Sequence, residues 1–186
     1  MPKMILLFSG KRKSGKDFLT DNLQKVLIDK CEIIKISQPI KSYWAKENNL
    51  SLDELLSDSK YKEQYRMDMI KWSDEMREKD YGCFCRAACQ NAADNTVWIV
   101  SDIRRKTDIK WFKENYGPLL KTIRIIADEE TRKERGFDFQ AGVDDVASEC
   151  DLDDYAEWDL VIDNGRNRQK LEDQIDSILA LLTYGV

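Results

Sequence analysis

Residues 4–27 read MILLFSGKRKSGKDFLTDNLQKVL, and three successive patterns in this segment indicate the fold class. Met4–Ser9 is a short apolar run, which is typical of a buried strand. A glycine-rich loop of the form G-x-x-x-x-G-K follows from Gly10 to Lys16. Behind it Leu19, Leu23, Val26 and Leu27 have helical spacing. Strand, loop and helix in this order predict a phosphate-binding loop.

The chemistry of this loop follows from its backbone. Gly10 and Gly15 permit conformations that a Cβ atom would hinder, so the loop amides are able to point inward around a phosphate. The positive end of the following helix adds to that attraction, and Lys16 is placed to reach the β- and γ-phosphates of a nucleotide. The competing interpretation is a turn with solvated basic residues. We expect all of Gly10, Lys11, Arg12, Lys13, Ser14, Gly15, Lys16 and Asp17 to contact nucleotide phosphates.

Asp17 stands where such loops usually carry Ser or Thr as a ligand of Mg²⁺. A carboxylate is also a good hard ligand for Mg²⁺, directly or through water. We therefore expect Mg²⁺ as the cofactor and Asp17 as its protein ligand.

Strand-like and helical segments alternate along the rest of the chain. We predict further strands at Ile33–Ser37, where Pro39 stops the run, and at Thr96–Ser101, Thr122–Ala127 and Asp159–Ile162. A short helix is expected at Asp108–Asn115, and another at the C-terminal end. The alternation predicts an α/β fold: a P-loop three-layer sandwich with a five-stranded, mainly parallel sheet.

One domain is expected from 186 residues. Its core is predicted in residues 1–40, 91–127 and 143–186, with a helical insertion at 41–90 and a charged insertion at about 128–142. In the helical insertion, one face is predicted to carry Tyr61, Tyr65, Met69, Trp72 and Met76.

Composition excludes several classes of protein. The chain has no histidine, which excludes Ser-His and Cys-His nucleophiles and His-ligated zinc. Its net charge of −5 argues against general nucleic-acid binding. The five cysteines contain no C-x-x-C pair, and we expect them to be reduced thiols. We find no signal-peptide core, no apolar membrane span and no S-K-L-type ending. We therefore expect a cytosolic protein with no membrane partner.

The charge is unevenly distributed. Residues 144–186 are strongly acidic, whereas the preceding part carries a net positive charge, which suggests a cationic pocket for an anionic ligand. The acidic run Asp144–Asp163 is predicted to be a solvated loop and helix face. A role of Asp144 and Asp145 in charge balance or Mg²⁺ binding is the alternative.

Basic residues recur at the ends of predicted elements. Lys62 and Arg66 are four residues apart, and Arg104 and Arg105 follow a strand at the sheet edge where open α/β sheets bind ligands. Converging cations are what a kinase needs to bring two anions together. An acceptor phosphate is already ionised at neutral pH and needs no general base. These residues predict a P-loop kinase whose acceptor is a small anionic metabolite that already carries a phosphate.

The chain resembles the animal-type phosphomevalonate kinase family over nearly its whole length. The resemblance lies in LLFSGKRKSGKDF (Leu6–Phe18), YKEQYRMDMIKW (Tyr61–Trp72), SDIRRKTDIKWF (Ser101–Phe112), GVDDVASEC (Gly142–Cys150) and LDDYAEWDLVIDN (Leu152–Asn164). A loop ending in Asp is characteristic of that family. The resemblance implies a monomer with a nucleoside-monophosphate-kinase-like fold, in which 41–90 binds the acceptor and 128–142 forms a lid. It also implies transfer of the ATP γ-phosphoryl group to the phosphate of (R)-5-phosphomevalonate.

The resemblance further implies roles for particular residues. Catalysis is expected from Arg12, Lys16, Asp17, Arg104 and Arg105. Additional nucleotide contacts are expected from Arg132 and Arg135 in the lid, and from Gly165 and Gln174. The acceptor site is expected to contain Lys41, Lys62, Arg66, Arg77, Arg86, Arg104, Arg105 and Asn164.

Three other functions remain open at this stage. A nucleoside monophosphate kinase would share the loop and the cations. A GTP-binding switch is disfavoured because the chain lacks N-K-x-D and a D-x-x-G after a strand. A non-catalytic nucleotide-binding module would bind ATP without turnover.

Overall fold

The fold is built around one parallel β-sheet. The computed structural model describes residues 1–57, 60–94, 96–166 and 168–183. The strands are β1 (Met4–Gly10), β2 (Cys31–Ile34), β3 (Val97–Val100), β4 (Leu120–Ile126) and β5 (Leu160–Asp163). Their order is β2-β3-β1-β4-β5, and every neighbouring pair is parallel. The predicted α/β class is confirmed, with a sheet that is parallel throughout.

Ten α-helices accompany the sheet within the described residues. They are α1 (Lys16–Leu27), α2 (Ser37–Asn48), α3 (Leu52–Leu56), α4 (Lys60–Gln64), α5 (Arg66–Lys79), α6 (Cys83–Cys89), α7 (Lys106–Tyr116), α8 (Glu129–Glu134), α9 (Ala147–Cys150) and α10 (Leu171–Thr183). None of these helices is long and apolar enough to cross a membrane.

The central strand β1 is buried on both faces, which explains its continuous apolar run. Ile5 and Leu7 belong to a core cluster shared with α6 and α7. Leu6 and Phe8 belong to the opposite cluster, shared with α1 and α10. Alternate residues of one strand thus anchor two helical layers on a sheet, which gives the expected three layers.

The second strand is shorter than predicted. It ends at Ile34, and Pro39 lies in the first turn of α2 instead of terminating the strand. The first backbone N–H groups of a helix have no partner within the helix, so proline is tolerated there. Asp102 caps this end, because its carboxylate accepts from the backbone N–H groups of Ile36 and Ser37 at 2.7 and 3.0 Å.

The helical region between β2 and β3 has a small core of its own. Ala45, Leu55 and Met69 form it, with Tyr61 and Tyr65 packed against them. The single helical face predicted through Tyr61 and Met76 is wrong, because α4 ends at Gln64 and α5 starts at Arg66. Trp72 and Met76 instead pack against the main core.

Candidate active site

The glycine-rich loop joins β1 to α1. Gly15 has φ +89° and precedes the first helical residue, a left-handed conformation that favours glycine. A Cβ atom at Gly15 would also lie 2.1 Å from Asn164 Nδ2 and 3.3 Å from Arg135 Nη1. Both the conformation and the close approach therefore require glycine.

Lys16 extends from the first turn of α1 towards the end of β3. Its ammonium donates to the Ser101 carbonyl at 2.5 Å and to the Asp17 carboxylate at 2.6 Å. The side chain is buried. A buried lysine at the bottom of a phosphate loop supplies a positive charge in a region of low dielectric, where it attracts phosphate strongly.

Asp17 is exposed beside this lysine, with 75% of its side chain accessible. Partial loss of water around the carboxylate works against its charge, but Lys16, with smaller effects of Lys35 and Arg104, outweighs it and holds the pKa of Asp17 below its ordinary value. Asp17 is therefore an ionised carboxylate at neutral pH. Such a donor fits Mg²⁺, which takes one or two carboxylates and completes its shell with water and substrate phosphate oxygens. No group of three or more Asp, Glu or Cys side chains that could hold a metal occurs among the described residues.

The predicted lid contacts the phosphate loop through Arg135 and through the ring of Phe137. Arg135 donates from Nη1 to the Ser14 carbonyl at 3.0 Å and from Nη2 to the Asn164 carbonyl at 2.7 Å. Arg132 stacks on the buried Phe137 ring, 4.3 Å from its centroid. Arg12 of the phosphate loop lies 5.9 Å from the same centroid. Phe137 thus joins the predicted lid segment to the phosphate loop.

Two clefts open at the carboxyl edge of the sheet. A cleft of about 790 Å³ is lined by the whole phosphate loop and by Arg135, Gly136 and Gln140. A smaller pocket of about 240 Å³ is lined by apolar residues of α2 and α5 and by Lys41, Arg77 and Arg105. Lys62, Arg66 and Arg104 line both cavities. The predicted nucleotide and acceptor cations therefore converge on one junction.

Carboxylates from the acidic run accompany the cations of both clefts. Asp144 accepts from Arg12 Nη1 with both oxygens, at 2.9 and 3.1 Å. Glu149 accepts from Arg104 and lies 3.9 Å from Arg66 Nη2. Both carboxylate side chains are only 6% accessible. The expectation of a solvated loop is thus wrong for these two residues, although Asp154 and Glu157 are exposed.

Arg105 has a nitrogen that no described residue satisfies. Its Nη2 donates to Asp74 of α5, whereas its buried Nη1 has no hydrogen-bond partner in the described part of the chain. A buried guanidinium N–H without a partner is costly, and an anion in the adjoining pocket would satisfy it.

Five predicted site residues lie apart from the two cavity linings. One of them is Arg132, which packs on Phe137 as described above. Arg86 is exposed and pairs with Asp80. Asn164 is buried and donates to the Ser14 carbonyl at 2.8 Å, so it supports the phosphate loop from below. Gln174 donates to backbone carbonyls of Asp163 and Gln169. Gly165 donates its backbone N–H to the Asp163 carboxylate.

Comparison with known proteins identifies the family. The phosphomevalonate kinase family model matches residues 8–118, which include the phosphate loop, α5 and Arg104. A phosphomevalonate kinase from Drosophila melanogaster is 54% identical over 165 residues, covering 86% of this chain and 87% of its own length. The chain belongs to the phosphomevalonate kinase family. The resemblance found in the sequence is thereby confirmed.

Solved structures support the fold of this family member. A gluconokinase from Sinorhizobium meliloti 1021 superposes with a TM-score of 0.52 at 14% identity, covering 98% of this chain and 93% of its own. A shikimate kinase from Bacteroides thetaiotaomicron gives 0.50 at 12% identity, covering 97% and 98%. At such identities the likeness shows the fold alone.

Sequence reasoning missed two polar residues that contact this site in the kinase. Asp108 binds Arg77 and the backbone of Arg104 and Arg105, and its position three residues after Arg105 is that of a helix-capping carboxylate. Arg124 donates to Ser9 Oγ at 2.7 Å, just before the phosphate loop, and pairs with Asp153. Nothing in the local sequence distinguishes Arg124 from an ordinary residue of a strand.

Proposed function

We propose that this chain transfers the γ-phosphoryl group of ATP to the phosphate of (R)-5-phosphomevalonate. The products are ADP and (R)-5-diphosphomevalonate, in the mevalonate route to isoprenoids and sterols. The observation that carries this proposal is the junction of the two clefts at Lys62, Arg66 and Arg104. Family membership supports the choice of acceptor.

The junction addresses the main obstacle of the reaction, which is repulsion between two anions. An acceptor phosphate carries about −1.5 to −2 near neutral pH, and the nucleotide phosphates are also negative. Phosphoryl transfer depends mainly on positioning and charge stabilisation. Cations that line both clefts are able to hold the acceptor oxygen against the γ-phosphorus and stabilise the charge that spreads over the transferred group.

The bond changes need no protein base. An ionised acceptor oxygen attacks the γ-phosphorus, while the bond from that phosphorus to the β-phosphate oxygen breaks and its electrons leave with ADP. This accounts for a kinase that contains no histidine. The negative charge of the transferred phosphoryl group is proposed to be stabilised by Lys16, Arg12, Arg104 and Arg105.

The remaining nucleotide contacts are assigned to the loop and the lid. We assign Lys11–Asp17, Arg132 and Arg135 to the ATP phosphates, and Gly165 and Gln174 to the nucleoside end. Residues of about 128–142 are proposed to close as a lid, supported by the contact of Arg135 with the Ser14 carbonyl. Mg²⁺, when bound, supplies charge neutralisation at the phosphates, and Asp17 is the residue proposed to hold it, directly or through water.

The pocket beside the junction is assigned to the acceptor. Ile40, Met69 and Ile70 give it an apolar wall, which suits a short carbon skeleton carrying charge at both ends. Lys41, Arg77 and Arg105 line the same pocket. Arg86 and Asn164 are proposed for this site on the family resemblance, and their places in the structure make any contribution indirect.

The decisive test is an acceptor panel. Purified protein with Mg·ATP is incubated with (R)-5-phosphomevalonate, unphosphorylated mevalonate, AMP, UMP or CMP, and ³¹P NMR follows formation of a diphosphate ester. Turnover on phosphomevalonate alone is the expected result. Preferred turnover on a nucleotide would replace the acceptor, and ATP binding without any turnover would indicate a non-catalytic module.

Lys16→Met provides the matched loss-of-function variant. Removal of the buried charge is expected to lower kcat by about 10²-fold or more. Lys25→Met, on an exposed face of the same helix, serves as the control and should retain wild-type kcat.

A monomeric cytosolic enzyme is the form in which we propose that it acts. All five cysteines are described, and each is a free thiol, which agrees with a reducing compartment. Size-exclusion chromatography with light scattering tests the monomer, and cell fractionation tests the location.

A further inference from the structure

Asp108 is a fully buried carboxylate at the edge of the acceptor pocket. It lies in the first turn of α7 and its side chain has no accessible surface. A buried carboxylate is stable only when several donors satisfy it. Asp108 meets this requirement with groups that belong to three of the predicted acceptor-site arginines.

Both oxygens of Asp108 are fully used. Oδ1 accepts from Arg77 Nη1 at 2.6 Å and from the Cys85 thiol at 3.5 Å. Oδ2 accepts from the backbone N–H groups of Arg104 and Arg105, at 2.9 and 3.0 Å. One side chain therefore connects α5 and α6 to the loop that follows β3.

The groups around the Arg77–Asp108 ion pair keep it charged and hold it in place. Burial opposes the charge of Arg77, but the Asp108 carboxylate outweighs burial and raises the pKa of that guanidinium. Burial also raises the pKa of the Cys85 thiol, so Cys85 stays neutral and donates its proton to Asp108. The Arg77 guanidinium lies 5.3 Å from the Phe84 ring centroid, which limits its movement on another side.

Resting on the proposed function, we propose that Asp108 is a positioning residue of the phosphoryl transfer. It sets the separation between Arg77 on the acceptor helix and the Arg104–Arg105 backbone at the sheet edge. These three arginines line the acceptor pocket, and Arg104 also lines the nucleotide cleft. Asp108 itself touches neither substrate and acts through the cations that it holds.

Helix capping alone would give Asp108 a purely structural role. The contact with Arg77 goes beyond capping, since Arg77 is 31 residues away and lies in another helix. A capping role predicts lower stability with unchanged catalysis by the folded protein. A positioning role predicts a loss in kcat in protein that remains folded.

Asp108→Asn separates these two roles. Asparagine keeps the size but replaces one acceptor oxygen by an amide donor, which must then face either Arg77 or the two backbone N–H groups. The expected result is a fall in kcat of about 10²-fold on phosphomevalonate, measured below the melting temperature, because small displacements of positioning groups are costly. The KM for ATP is expected to stay within about twofold.

Asp159→Asn is the matched control. Asp159 is a partly buried carboxylate that, like Asp108, accepts from a backbone N–H: its partners are the backbone N–H and hydroxyl of Thr122 at 2.8 and 2.9 Å. It lies at the amino ends of β4 and β5, on the opposite edge of the sheet from the clefts. Its replacement should lower the melting temperature and leave kcat unchanged.

A coupling measurement completes the test. Arg77→Ala should cost less in kcat when Asp108 is already Asn than in the wild type, because both changes remove the same arrangement. Independent effects of the two substitutions, or a wild-type kcat for folded Asp108→Asn, would overturn the proposal.

Titration calorimetry with inorganic phosphate distinguishes failure of this proposal from failure of the proposed function. Lack of wild-type turnover on phosphomevalonate would reject the function, whereas the phosphate affinity would still report on Asp108. Asp108→Asn should weaken phosphate binding about tenfold relative to the wild type. Equal affinities, or no phosphate binding by the wild type, would overturn the positioning role.

Discussion

Arg12 in the phosphate loop donates to both carboxylate oxygens of Asp144, at 2.9 and 3.1 Å, although the two residues are 132 positions apart. The pair places the acidic segment, which follows the proposed lid, directly on the cleft that we assign to the nucleotide. Glu149, five residues further on, does the same at the acceptor pocket through Arg104. The negative charge of this segment is therefore part of the electrostatics of the site.

Glu149→Gln is expected to lower the KM for phosphomevalonate severalfold. The substitution removes a buried negative charge beside Arg66 and Arg104, so the positive potential available to an anion rises. The melting temperature should fall, because two guanidinium groups lose a buried partner. Steady-state kinetics and thermal unfolding measure the two effects.

The exposed Glu157, which pairs with Lys113 on the surface, provides the control through Glu157→Gln. That variant should match the wild type in KM and nearly so in stability. A KM for phosphomevalonate that rises in Glu149→Gln would show that Glu149 holds the arginines in place more than it competes with the acceptor.

Gly15→Ala is expected to abolish ATP binding. The alanine would have to adopt φ +89°, and its Cβ would meet Asn164 Nδ2 at 2.1 Å, so the loop must move. Gly117→Ala is the matched control, since a Cβ there has no described atom within 4 Å. Calorimetric titration with ATP compares the two variants. Wild-type affinity in Gly15→Ala would contradict the requirement for glycine at this position.

The sequence contained enough to predict the sheet and the phosphate loop, because both depend on local patterns. The apolar run of β1 and the spacing of Gly10, Gly15 and Lys16 are each set within a few residues. The break at Tyr65 was not predictable in this way. Tyr65 has good helical neighbours on both sides, and the helix ends there in a tertiary context that includes a core with Met69.

The contacts of the acidic run were missed for a related reason. Ion pairs such as Arg12–Asp144 join distant parts of the chain and leave no periodic signal in sequence. The uneven charge did predict a cationic pocket, but it did not show that the two charged halves meet. Asp108 had a local signal as a capping residue, whereas its contact with Arg77 joins α5 to α7 and depends on the tertiary fold.

Phe137→Leu tests the connection between the lid and the phosphate loop. Leucine retains most of the buried apolar volume but removes the ring that Arg132 and Arg12 approach. The two contacts together contribute about 1–2 kcal/mol, so the KM for ATP should rise about five- to thirtyfold while kcat changes little.

Phe139, which is exposed in the same segment, supplies the comparison variant Phe139→Leu. Its KM for ATP should remain at the wild-type value. Equal effects of the two substitutions would indicate a general change in the lid and not the loss of the Phe137 ring.

The pH profile tests catalysis without a protein base. The acceptor phosphate has a second pKa near 6, so kcat/KM for phosphomevalonate should fall about tenfold per unit below that pH and stay flat from about 7 to 9. Asp17 does not contribute a limb in this range, because Lys16 holds its pKa below the ordinary value. A depressed carboxyl pKa gives an interaction that is present at neutral pH and lost only as the pH falls below about 4.

Replacing the acceptor phosphate by a thiophosphate, which has a lower pKa, should move the acidic limb to lower pH. A limb that stays in place with the thiophosphate, and is unchanged when the γ-phosphate of ATP is likewise replaced, would assign it to a group on the protein and would reject the base-free mechanism.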